Sequence, residues 1–179
     1  MKTQLSLLLF LVAVSLPAAP FAPMPPALTN GPAFDGVPLL ARHDFVQRKY
    51  GQAVRWQKLA GPNRTAGDIK GTASVSAKGK PVTAEFFLYQ VGTNDYRLHQ
   101  IIVTIPDEPW VIEEEVTKQY GPPAKLDGEW SEWKLPDGNF HITVWQSTDG
   151  SEPDKLYYKS GWGQAVLDSR TKGGAGRRR

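Results

Sequence analysis

Two stretches of this chain about seventy residues apart repeat one another, and that echo limits the fold more than any other feature. Val46-Gln47-Arg48-Lys49-Tyr50-Gly51 recurs as Val116-Thr117-Lys118-Gln119-Tyr120-Gly121. Further along, Gly67-Asp68-Ile69-Lys70 lines up with Gly138-Asn139-Phe140-His141, and Phe87-Leu88-Tyr89-Gln90-Val91-Gly92 with Leu156-Tyr157-Tyr158-Lys159-Ser160-Gly161. Three matches in one order at nearly one offset predict a duplicated unit. Such a pattern speaks to assembly; function has to be argued from a site.

The ends of the chain set the boundaries of that unit. Lys2 precedes an apolar run from Leu5 to Leu16, and a Pro/Ala-rich stretch follows from Pro17, the layout of a secretory signal peptide. The run is too short for a membrane-spanning helix, which needs about 20 residues. We therefore expect a signal peptide over 1–22, a Pro/Ala-rich leader over 23–34, a first unit over 35–105, a second over 106–165 and a basic tail over 166–179. The sequence holds no cysteine, which excludes disulfides, thiolate metal sites, a cysteine nucleophile and a lipidated cysteine. The expectation is a soluble protein, periplasmic or secreted, with no membrane anchor. Its basicity belongs to the ends: residues 20–169 carry 15 Lys/Arg against 18 Asp/Glu, while Arg170, Lys172, Arg177, Arg178 and Arg179 sit in the tail. We read that tail as a solubilising end rather than a specific nucleic-acid contact.

Within the body, the apolar period switches twice from helical to alternating. Leu39, His43, Val46 and Tyr50 fall at helical spacing, and Gly51 stands where a residue of positive φ closes a helix. In the second unit Pro109 suits the first turn, Ile112, Val116 and Tyr120 form the stripe, and Gly121-Pro122-Pro123 stops it. Both tyrosines are expected to be buried. Alternation then predicts strands from Ile69 to Val75, Val82 to Val91 and Tyr96 to Ile105, and from Glu129 to Leu135, Phe140 to Gln146 and Lys155 to Lys159. Gly- and Asp-rich turns separate them. The predicted class is α+β: two tandem units, each a helix followed by an antiparallel meander.

The run Gly36-Val37-Pro38-Leu39, a helix ending in Tyr50-Gly51 and a following meander, all in an exported chain, resemble outer-membrane assembly lipoproteins of the SmpA/OmlA type. The tandem arrangement is similar to that of the β-lactamase inhibitor proteins. The resemblance spans residues 35–163 at the level of architecture and rests locally on the helix-ending Tyr-Gly, with Pro122 after the second. It implies a non-catalytic protein that binds other proteins. The cysteines of both groups are absent here, so no site residue carries over.

No G-x-S-x-G, H-E-x-x-H or phosphate-binding glycine loop occurs. Glu113, Glu114 and Glu115 stand near a helix start, where the dipole favours negative charge. His43, His99 and His141 lie in separate elements without a second ligand nearby, and His43 falls in the helix stripe, so no metal or cofactor is expected. Trp130-Ser131-Glu132-Trp133 lacks the final serine of a cytokine-receptor box. Asn63-Arg64-Thr65 is a glycosylation triplet that matters only in a eukaryotic secretory pathway.

The candidate site comes from an asymmetry. Where the first unit turns Lys70, Thr72 and Ser74 to water, the echoing strand turns His141, Thr143 and Trp145, with Phe140, Ile142 and Val144 to the core. Trp130 and Tyr157 are expected on the same side. Aromatic residues on an otherwise wet face are the composition of interaction surfaces. Trp130, His141, Trp145 and Tyr157 are thus the candidate binding residues, and a protein is the expected partner; the competing reading is that this face packs internally. The functional alternative is a polysaccharide or cell-wall hydrolase, or a carbohydrate-binding module, in which Trp130, Trp133 and Trp145 stack on sugar rings and Glu129 or Glu132 serves as acid.

Overall fold

The computed structural model describes residues 32–59, 68–77, 79–106, 110–135, 139–147, 149–163 and 165. The expected signal peptide, most of the leader, the basic tail, Pro109 and the Asn63-Arg64-Thr65 triplet lie outside the described residues, as does the side chain of Ile112.

A two-residue hairpin opens the fold. β1 (Ala33–Phe34) and β2 (Val37–Pro38) pair across Asp35-Gly36, both at positive φ (49° and 72°), which is the Asp-Gly turn that matches strand twist. The packed body therefore includes residues before Asp35, with Phe34 buried against Tyr158. α1 (His43–Tyr50) starts four residues later than the spacing of Leu39 implied. Leu39 and Leu40 are buried, yet they belong to a turn, with Leu40 at φ 66°. Asp44 in the first turn and Arg48 and Lys49 in the last complement the helix dipole.

A turn of 3-10 helix (Gly51–Ala53) leads to β3 (Val54–Lys58), β4 (Ile69–Ala77), β5 (Lys80–Gly92) and β6 (Asp95–Ile105). Then come α2 (Trp110–Tyr120), β7 (Lys125–Asp127), β8 (Trp130–Lys134), β9 (Phe140–Trp145) and β10 (Asp154–Ser160). The chain is α+β with strands dominant. β3 to β10 form one antiparallel sheet in the order β3-β4-β5-β6-β10-β9-β8-β7. The two meanders thus join through their last strands, β6 against β10, with Tyr157 opposite Ile102.

Val46 of α1 and Val116 of α2 pack into the core with Phe86, Leu98, Ile101 and Ile142. Each helix is tied down by an indole: Trp56 Nε1 donates to Gln47 Oε1 (2.6 Å) and Trp133 Nε1 donates to the Gly121 carbonyl (2.9 Å). Both expected helix stops hold. Gly51 (φ 55°) and Gly121 (φ 82°) take positive φ, and their N–H groups bond the carbonyls of Gln47 and Thr117, satisfying terminal acceptors.

Tyr50 and Tyr120 are half-buried, not buried. Tyr50 lays its ring on Phe86 (5.1 Å between centroids) while its hydroxyl reaches out to donate to Asp35 Oδ2 (3.2 Å). Burial and that carboxylate both push the phenol's pKa upward.

The echo itself is out of step with the sheet. Its helical part matches like with like, but Ile69-Lys70 lies in β4, the second strand after α1, and Phe140-His141 in β9, the third after α2. Two strands also lie outside those that alternation predicts, β3 and β7, one in each half, so they leave that one-strand offset unchanged. β3 carries a readable Val54-x-Trp56 pattern; β7 is exposed at all three residues, so no burial period exists to read.

Candidate functional site

Strand alternation and register define the face of the sheet turned away from α1 and α2. One row across it runs Thr83, Thr104, Lys155, Trp145, Trp130, Asp127. The next runs Arg55, Thr72, Glu85, Ile102, Tyr157, Thr143, Glu132, Lys125 through all eight strands. A third runs Gln57, Lys70, Phe87, Gln100, Lys159, His141, Lys134. β9 alternates as expected, with Phe140, Ile142 and Val144 buried and His141, Thr143 and Trp145 partly exposed.

Three of the four candidate residues come together. Trp130 and Trp145 are directly opposite across β8 and β9, their rings 6.1 Å apart and tilted by 50°. Tyr157 lies 6.0 Å from Trp130. Trp130 is 43% exposed, so the cluster is open to solvent. His141 stands apart: it is four residues along β9 from Trp145, about 13 Å at strand rise, and its Nδ1 meets Glu132 Oε1 at 3.2 Å. Trp162 packs against the main core, and Gly163 abuts His99.

Sequence reasoning missed the two lysines. Lys155 Nζ sits 5.0 Å over the Trp145 ring and Lys159 Nζ 5.1 Å over the Tyr157 ring, cation–π contacts that turn the cluster into an aromatic wedge with cationic shoulders. Both stand two residues from Tyr157 on β10, so alternation alone placed them on its face. Lys155 also donates to Glu152 Oε2 (2.9 Å), the main reason its pKa is raised; burial pushes the Tyr157 phenol up, with Lys155 pulling the other way. No family model, curated protein or solved structure matches this chain.

Other candidates have different places. Trp133, offered above as a sugar platform, is only 2% exposed and faces α2, because its neighbours Trp130, Glu132 and Lys134 take the other side of β8. Helix-dipole stabilisation is not the whole account of Glu113. It accepts hydrogen bonds from Ser131 Oγ (2.9 Å) and Gln146 Nε2 (3.1 Å), fastening α2 to β8 and to the residue after β9. The His43 ring lies 4.4 Å from that of Trp56 at a tilt of 54°, and burial lowers its pKa against the opposing pull of Asp44. His99 is buried and stacked on Tyr89 (3.4 Å). Among the described residues, no three His, Asp or Glu side chains are grouped to hold a metal ion, and no helix is long and apolar enough to cross a membrane.

Proposed function

We propose that this chain is an exported, non-catalytic protein that binds a protein partner through the outer face of β8, β9 and β10. The observation that carries the reading is the solvent-open cluster of Trp130, Trp145 and Tyr157 on a sheet whose other face already holds the core. Trp and Tyr give large contact area at small entropic cost, which is why they dominate binding hot spots. A carbohydrate platform is less well supported. Trp133 is buried, the two remaining tryptophans are tilted by 50°, and lysines occupy one face each of Trp145 and Tyr157.

The reading takes the two halves as copies of one unit, in keeping with the resemblance to envelope-assembly and inhibitor proteins. Its supports are the helix ending in Tyr-Gly, the four antiparallel strands after each helix, and the strand order mirrored about β6 and β10.

The test is capture from a periplasmic or secreted extract by the wild-type chain and by the double variant Trp145→Ala with Tyr157→Ala. We expect the variant to stay folded and to lose the captured protein, since truncating an anchor costs about 2 kcal/mol or more of binding energy. A folded variant that captures the same protein equally well puts the binding face elsewhere, and an unfolded one makes these residues core.

A further inference from the structure

The charge on this face differs in sign from that of the body around it. Across the three rows stand six Lys/Arg (Arg55, Lys70, Lys125, Lys134, Lys155, Lys159) against three Asp/Glu (Glu85, Asp127, Glu132). Residues 20–169 as a whole carry more acids than bases, 18 against 15. The excess positive charge is therefore concentrated on the one face that bears the exposed aromatic cluster.

Its distribution is also uneven. Each acid of the rows already has a partner: Lys70 Nζ at 2.6 Å from Glu85, Lys125 Nζ at 2.9 Å from Asp127, and His141 Nδ1 at 3.2 Å from Glu132. The third row contains no acid along its length. Within it Lys159, His141 and Lys134 lie directly opposite one another on consecutive strands. Lys159 makes no ion pair among the described residues and rests over Tyr157, and Lys134 reaches Glu132 only at 4.0 Å. This row lies about 7 Å along the strands from the row of Tyr157.

From this we infer that the partner is an acidic protein surface, whose carboxylates meet Lys159 and Lys134 while an apolar side chain fills the wedge of Trp130, Trp145 and Tyr157. The inference rests on the binding face proposed above and adds the chemistry of its occupant. Charge complementarity decides for an acidic partner, and the tilted, lysine-capped rings decide for a protein over an anionic polysaccharide.

The probes are a glutamate-rich synthetic peptide with a central Phe-Leu pair, and heparin, titrated against intrinsic tryptophan fluorescence at low and moderate salt. The chains compared are wild type, Lys134→Gln with Lys159→Gln, Trp130→Ala, and Lys118→Gln, an exposed lysine of α2 as control. We expect the peptide to bind wild type and Lys118→Gln alike. The double lysine variant should weaken it roughly tenfold and flatten its salt dependence, and Trp130→Ala should weaken it at every salt concentration. Peptide affinity unchanged in the double lysine variant, or no peptide binding to wild type, overturns the inference. So does heparin binding tighter than the peptide and indifferent to Trp130→Ala, which makes the face a polyanion site. Extract capture separates the two proposals: loss in the aromatic double variant with full retention in the lysine variant keeps the binding face and removes the acidic partner.

Discussion

On the helix side, each half of the sheet holds a helix. Each fastens its helix with a tryptophan indole, Trp56 to Gln47 in the first half and Trp133 to Gly121 in the second. On the outer side they part. The first half presents Lys70 paired to Glu85 at 2.6 Å among Thr72, Ser74 and Thr83. The second presents Trp130, Trp145 and Tyr157 with two lysines over the rings. A meander needs only one apolar face to fold, and in the first half the outer face is polar apart from Phe87 and Ile102. On the reading proposed above, Trp130, Trp145 and Tyr157 on that outer face serve a partner rather than the core.

The comparison breaks most directly through the two tryptophans of the second half. Trp133→Ala should cost about 3–5 kcal/mol, since it empties a core position and leaves the Gly121 carbonyl without its donor. Trp145→Ala should stay within about 1 kcal/mol, as expected of a partly exposed side chain. Urea unfolding of both variants checks this, and equal losses would mean that the outer face is core after all.

A smaller effect sharpens the first half. A Cβ on Gly71 would lie 2.6 Å from the Trp56 ring and 2.8 Å from Val54, both on β3. Gly71→Ala should therefore cost about 1–3 kcal/mol through overpacking and shift β3 on α1. Unchanged stability together with an unchanged NMR resonance of the Trp56 indole N–H would show that β3 is loosely held.

The smallest effect is in pH. His43 is the half-buried contact of α1 with Trp56, and burial holds its pKa below the ordinary 6.5. Between the folded and unfolded values the unfolded chain binds more protons, so stability rises with pH there. The contribution is full above the unfolded value and is lost as pH falls through the folded one. Unfolding midpoints measured from about pH 8 to about pH 5 should fall more in the wild type than in His43→Gln; parallel profiles would remove His43 from the account.

Much of the fold was legible because its signals are local. Alternation gave β4, β5, β6, β8, β9 and β10 to within a few residues, and Tyr50-Gly51 and Tyr120-Gly121 marked both helix ends. The Asp35-Gly36 hairpin is readable from its turn residues. β7 offered nothing to read, since Leu126 at 71% exposure carries no burial period. In the site, alternation on β9 separated Trp145 from the core, and the same rule applied to β10 places Lys155 and Lys159 beside Tyr157.

By itself, then, the sequence determined what each segment becomes and which of its sides is apolar, because side-chain period and turn chemistry act over a few residues. It also determined the charge of each strand. Only the tertiary structure decided which strands are neighbours. The pairing of β6 with β10 bridges α2 and three intervening strands, and no local pattern encodes such a contact; it follows from covering both halves with one core. That long-range pairing, with the registers it sets, turns separate residues into an aromatic wedge and lines up Lys159, His141 and Lys134 across consecutive strands.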